Sequence, residues 1–484
     1  MIIDRYLIQN REQLQLRNVM NQMLGDPTPY DKERFWDVID KWKAYLSNEY
    51  GLRKGQLVGL GVSKNNVKTT ALVMACAELG AQVFSANLAW NPKAKVPMVA
   101  TDLPASFGFW DSLTLKMLDG VQEEYYEDTV EVEMINLDTV DIENYNEPIE
   151  FDHPDVLPDD PLWVTYSDGQ FEDGFEYQYY THKECWGLAH RHYKLFNMKD
   201  TIGVHSFNVL HGMSFITYTC ASFMGSTEHY FVNWWDRVEM WQLGGLGKAL
   251  KNVFEMDDRK VIFFKNVETL EVCTRDITPE QAKRIEFVSP MGVITPELHD
   301  LCDERQLKCA IMYGETRSKC MTLFVKPIKG SYVEDSVGFI ADNYYEVVHS
   351  PQKNVCFVRS HNDTKYYPLS FKLEKLDNAE YIFKGFVEVH PFQERVEHIL
   401  GHDNFWLLRK NALNYLAVFE EPSAHQMKML DTLGLTDIGV SDKMAFCLEN
   451  SRYRDWHALK NQFEYGFDEY EVNRVRYLNS GENK

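Results

Sequence analysis

The sequence predicts an α/β fold, with a large N-terminal α/β domain and a small α+β domain after it. Three observations carry this. Short apolar runs alternate with helical periodicities from about residue 33 to about residue 320. Hydrophobic residues make up 44% and charged residues 25%, a globular balance with ample material for a core. The length, 484 residues, suits one large two-part fold or roughly three ordinary domains.

The elements follow in order. Phe35, Val38, Ile39, Trp42, Tyr45 and Leu46 recur at helical spacing, so a helix covers 33–50 and Gly51 stops it. Leu57–Val62 reads as an apolar strand. Asn65-Asn66 caps a helix over 67–79 that ends at Gly80, and Gln82–Phe84 returns as a strand. This strand–helix–strand unit is the kind that builds parallel sheets. Trp163–Tyr166 is a strand, Cys185–Phe196 a helix and Ile202–Phe207 a strand. Glu286–Val288, a helix over 296–306 opened by Pro296, and Cys309–Met312 repeat the alternation. Val337–Phe339, Val355–Val358 and Tyr381–Phe383 read as short antiparallel strands. The domain boundary is expected after residue 384, with a helix over 391–400 and a strand over 415–419 inside 385–484.

Charge narrows the function. Fifty lysines and arginines against 73 acids give −23, which argues against a nucleic-acid footprint. Residues 117–182 hold 20 of the acids and no lysine or arginine. That stretch is either a solvated acidic face or a contact surface for a basic protein partner, and we expect the latter. No apolar run is long enough to span a bilayer, and Met1–Arg5 lacks the layout of a secretory signal. Nine cysteines without a Cys-x-x-Cys pair read as reduced thiols, hence a cytoplasmic or other reducing compartment, with a place in a larger assembly left open.

Several strings, in order, carry a resemblance. They are Leu52–Leu60, Ala75–Ala81, Tyr166-Ser167-Asp168-Gly169 with Tyr180-Thr181-His182, Leu210-His211-Gly212 and Tyr313-Gly314-Glu315-Thr316. Ser336–Gly338, Val358–Ser360, Tyr366-Tyr367 and Pro391–Glu397 follow at the expected places. The chain resembles the adenylate-forming superfamily, which includes acyl-CoA synthetases, luciferases and peptide-synthetase adenylation domains. That resemblance implies a large N-terminal domain, a mobile C-terminal domain, and activation of a carboxylate with ATP and magnesium to an acyl-adenylate.

The family's reacting-centre positions are altered here. Its phosphate loop is rich in Ser, Thr and Gly and contains a lysine, so that backbone N–H groups and one cation meet the phosphates. The matching positions are Ser167, Asp168, Gly169, Gln170, Phe171, Glu172 and, at the lysine place, Phe175. With Asp173 and Glu176 the loop carries four carboxylates and no cation before Lys183. The magnesium-binding glutamate after Tyr313, Gly314 and Thr316 is replaced by Arg317, which cannot ligate a cation. The adenine-pocket string reads Pro290-Met291-Gly292, the ribose-binding aspartate is Lys372, the hinge is Gly385-Phe386, and the C-terminal lysine place holds Glu482. His211 lines an acyl pocket in the resemblance, but a satisfied core histidine explains it as well.

Other motifs weigh less. Gly244–Ala249 lacks the first glycine and the Ser/Thr of a nucleotide loop. His182, His190 and His192 match no regular zinc spacing. The expectation is therefore a catalytically degenerate relative acting as a binding or assembly component, with no cofactor. The alternative is an active ligase with an altered site, using ATP and magnesium.

Overall fold

The computed structural model describes residues between 14 and 449. It leaves out 86–106, 116–132, 168–175, 233–257, 387–395 and shorter stretches, including 207–211, 213, 291–293 and 316–319. The chain divides into two compact units. The first comprises Met1–Tyr166, Tyr177–Tyr332 and Ile340–Asp342, and the second Ser167–Glu176, Val333–Phe339 and Asn343–Lys484.

The first unit opens with β1 (Gln15–Met20) and α1 (Lys32–Tyr50). Asp31 caps α1, accepting from Arg34 N, and Gly51 closes it in the left-handed conformation (φ 61°), where a residue without a Cβ fits. Then follow β2 (Leu57–Gly61), α2 (Val67–Glu78), β3 (Gln82–Ser85), β4 (Phe107–Trp110) and β5 (Glu133–Asn136). β6 (Pro161–Ser167), β7 (Glu176–Thr181) and α3 (His182–Leu195) come next. These strands form a six-stranded sheet in the order β5-β4-β2-β3-β6-β7. β4, β2, β3 and β6 run parallel, with Val58 opposite Phe107 and Val83 opposite Trp163.

A second sheet is built from β8 (Ile202–His205), β9 (Glu228–Val232), β10 (Val261–Phe264), β11 (Ile285–Pro290), β12 (Lys308–Glu315) and β13 (Cys320–Pro327). Their order is β13-β12-β11-β10-β8-β9-β1, parallel except for the β12–β13 hairpin. A π-helical turn (Ser214–Thr219) runs into α4 (Cys220–Gly225), and α5 (Pro296–Arg305) lies between β11 and β12 in sequence. One hydrophobic cluster draws on both sheets and on α1 to α4, from Leu60 and Val83 through Phe35, Trp42 and Phe215 to Phe264 and Met312. α2 is buried at Val67 and throughout Thr69–Ala77, so nearly every face of it is covered, and its charges, Lys68 and Glu78, stand near its two ends. A second cluster, with Ile202, Val261, Ile285 and Ile311, occupies the other face of the second sheet and takes in Cys302 of α5.

The second unit contains β14 (Ser336–Ile340), β15 (Tyr345–Ser350), β16 (Val355–Ser360), β17 (Tyr367–Lys375) and β18 (Tyr381–Phe386), in the order β15-β16-β17-β18-β14. Later in the chain a four-stranded sheet of residues between Phe405 and Glu449 pairs antiparallel throughout. The fold is thus α/β with the predicted parallel sheets. Among the described residues no helix is long and apolar enough to cross a membrane, and Cys76, Cys185, Cys220, Cys302 and Cys309 are buried, unbridged thiols.

Candidate functional site

The strings expected to surround a phosphate loop bracket one connection. β6 leads in and ends at Ser167, and β7 leads out into α3. The start of α3 is fixed by a capping box. Glu184 N donates to Thr181 Oγ1 (3.2 Å) and Thr181 N donates to Glu184 Oε2 (2.8 Å). Asp168, Gly169, Gln170, Phe171, Glu172 and Phe175 belong to the connection itself and lie outside the described residues.

The structure brings Gly212 to β6. A Cβ on Gly212 would fall 2.7 Å from both Trp163 Nε1 and Thr165 Cγ2, so the Gly212 backbone packs against the middle of that strand. Only glycine allows that approach. Trp163 is fully buried and stacks on Phe215 at 5.0 Å. Its indole N–H and the Thr165 hydroxyl are buried with no hydrogen-bond partner among the described residues. From the sequence, Trp163 and Thr165 read as strand residues only. The glycine spacing gave no sign that Gly212 would meet them. His211 lies outside the described residues.

Tyr313 and Gly314 stand near the end of β12. The last parallel pair, Pro290 with Met312, immediately precedes them. The hairpin register shifts between Tyr313 and Glu315, a bulge of the sort that re-aims side chains beside functional sites. Tyr313 is half-buried and packs on the second cluster. Gly292, Thr316 and Arg317 lie outside the described residues. In the second unit, Lys372 sits on β17 opposite Val355, half-buried, and forms no ion pair among the described residues.

The histidines of α3 divide. His192 is buried, hydrogen-bonded to Leu188 O at 2.7 Å, and burial together with the adjacent Arg191 charge pushes it down to about 3. His190 stacks between Trp186 and Tyr193. Among the described residues no group of three His, Cys, Asp or Glu is placed to hold a metal.

ATP with magnesium is the group the resemblance implies, and the sequence of this connection supplies it no cation. The connection runs from Ser167 at the end of β6 to Glu176 at the start of β7, and between them lie three further carboxylates and no cation. A carboxylate about 4 Å from a phosphate charge costs about 4 kcal/mol at an effective dielectric of 20.

Neither a protein-family profile nor a curated protein sequence matches the chain. Solved structures do. The N-terminal domain of FACL13 from Mycobacterium tuberculosis superposes with a TM-score of 0.62 at 14% identity, covering 79% of this chain and 98% of that one. ATP-bound MatB from Rhodopseudomonas palustris gives 0.62 at 11% identity, covering 91% and 96%. A Mycobacterium tuberculosis fatty acyl CoA synthetase gives 0.60 at 13%, covering 88% and 90%. At these identities the likeness is one of fold, and the fold of this chain is that of the adenylate-forming acyl-CoA synthetases.

Proposed function

We propose that this protein keeps the acyl-CoA-synthetase fold without its adenylation chemistry and works as a binding or assembly component. One observation carries the reading. The connection between β6 and β7, where the fold's phosphate loop belongs, holds four carboxylates and no cation, with Phe175 at the lysine place. Arg317 and Lys372 replace a metal-binding and a ribose-binding acid in the same resemblance. The second reading, a ligase with a rebuilt site, draws on Lys372, a half-buried cation without an ion pair among the described residues.

A thermal-shift titration with ATP and magnesium separates the two. A ligand bound only by the folded state adds about 2.7 kcal/mol at a hundredfold excess over Kd, which moves a melting midpoint by about a few degrees. The titration is expected to be flat. A saturable rise, lost when Arg317 and Lys372 are both replaced by alanine, would establish the rebuilt-site reading instead.

A further inference from the structure

Four of the seven large apolar residues that stand exposed among the described residues fall between 149 and 186: Ile149 (38%), Leu157 (55%), Tyr179 (44%) and Trp186 (36%). This segment overlaps the end of the cation-free acidic stretch. Exposed apolar residues rimmed by polar ones mark interaction surfaces.

The hydrogen bonds show that much of this segment follows one course. Asn48, near the end of α1, donates to Pro148 O (2.8 Å) and accepts from Glu150 N (3.1 Å). Lys54, just before β2, donates to Asp155 O (2.9 Å) and pairs with Asp160 (2.6 Å). Lys183 N donates to Pro158 O (2.8 Å) and His182 N to Asp160 O (3.0 Å), one turn before Trp186. β2, β3 and β6 are parallel, so these anchor points share the end of the sheet where the strands begin. The connection after Ser167 leaves from the opposite end.

The strip is both sticky and acidic. Trp186 is held by its stack on His190 (4.9 Å), which in turn stacks on Tyr193, so the indole is a preset platform with little entropy to lose. Glu147, Glu150, Asp155 and Asp159 are exposed, and none forms an ion pair among the described residues. Lys54 is committed to Asp160, and Lys183, exposed at the start of α3, is the one lysine or arginine within 149–186.

We infer that this strip is a docking surface for a basic amphipathic segment of a partner protein. The partner's apolar residues seat on Trp186 and Leu157, and its lysines and arginines face Glu147, Glu150, Asp155 and Asp159. The inference rests on the binding-component reading for the existence of a partner, but it uses none of the residues of the altered loop.

The test uses the full chain and three fluorescein-labelled peptides: a helical leucine–lysine peptide, a lysine-only peptide, and a leucine–glutamate peptide of the same pattern. Anisotropy at low and physiological salt should rank the leucine–lysine peptide first, with binding that weakens as salt rises. Trp186→Ala should weaken it about tenfold or more, the mark of an anchor residue, and so should Leu157→Ser, which lies outside any helix and spares the core. Three results would each overturn the proposal: no binding at low salt, equal binding of the lysine-only peptide, or indifference to both substitutions. So would sedimentation showing that Trp186→Ala dissociates a dimer, since the occupant would then be a second copy. Retained peptide binding beside a saturable ATP shift would leave the docking surface standing and remove the binding-component reading alone.

Discussion

His205 Nε2 lies 3.1 Å from His229 Nδ1 in the fully buried interior between β8 and β9. Their partners fix both tautomers. His229 Nε2 faces Ser226 O (3.2 Å), a pure acceptor, so Nε2 carries the proton and Nδ1 accepts. His205 Nε2 must then donate, and its Nδ1 accepts from the Thr219 hydroxyl at 3.3 Å. The His205 ring also stacks on Phe231 at 4.4 Å. A proton added at His229 Nδ1 would set two N–H groups against each other, and one added at His205 Nδ1 would force the Thr219 hydroxyl to turn from donor to acceptor.

Acid should therefore destabilise the protein from mildly acidic pH. Burial, with His229 beside it, holds His205 far below the usual histidine range, and His192 is held down to about 3. The unfolded chain takes up both protons near pH 6.5 and the folded chain does not, so stability is full above that value and falls as pH drops below it. Two such groups give a slope of about 2.7 kcal/mol per pH unit between roughly pH 6 and pH 4. Urea denaturation across pH 7.5 to 4.5 measures this, and His192→Gln should remove about half of the slope. Equal stability at pH 7.5 and pH 5 would contradict the assignment.

Gly61 and Trp110 face each other across the parallel β2–β4 pair, and the indole lies over the glycine. A Cβ at Gly61 would fall 1.8 Å from Trp110 Cε3. Gly61→Ala is expected to cost about 1–3 kcal/mol through overpacking, since Trp110 is buried and has nowhere to retreat. Trp110→Leu alone should also destabilise. The double variant should be more stable than the two single losses added together predict, which chemical denaturation of the four proteins would show.

Glu143 gathers Tyr30 Oη (2.6 Å), Arg34 Nη2 (2.9 Å) and Lys68 Nζ (3.0 Å), tying the turn Ile142–Asn144 to both α1 and α2. Burial pushes its carboxyl up, but the hydrogen bonds from Tyr30, Arg34 and Lys68 outweigh that and bring it down to about 2. Glu143→Gln should cost on the order of 1–2 kcal/mol at pH 7. Because the folded value is depressed, this contribution is present above about pH 4.5 and is lost as pH falls toward 2. The gap between wild type and variant should accordingly narrow below pH 4.5, and a gap that widened would contradict the role given to the carboxylate.

Amphipathic and capped elements were legible in the chain, and flush apolar ones were not. α1 announces itself through Phe35, Val38, Ile39, Trp42 and Leu46, which recur at helical spacing, are all buried, and stop short of Gly51. α3 begins at His182, three residues before the expected Cys185, because Thr181 and Glu184 form a capping box whose Thr-x-x-Glu spacing was there to be read. Val261-Ile262-Phe263-Phe264 is a buried strand, but four apolar residues in a row carry no period to separate strand from helix. For the site, the strings flanking the expected loop fall on β6 and on the junction of β7 with α3. The contact of Gly212 with Trp163 and the His205–His229 pair were invisible, since each is made by strands or turns that only the fold brings together.

The remaining prediction concerns the chemistry itself. No carboxylate-dependent exchange of pyrophosphate into ATP is expected across a broad panel of acids. Exchange requires a triphosphate held against a cation-bearing loop and a metal bridging its oxygens. In the resemblance, Phe175 takes the place of the loop's lysine, and the same stretch of sequence carries Asp168, Glu172, Asp173 and Glu176. In the same resemblance Arg317 matches the metal-binding position, Lys372 the ribose position and Glu482 the C-terminal lysine position. Each change alone leaves room for compensation. Four at once, all at positions that contact the nucleotide in the resemblance, leave the charge of the triphosphate unanswered on the loop side. Exchange with any acid, abolished by chelating magnesium and by Lys372→Ala, would show that Lys372 had taken over the role of the loop's cation.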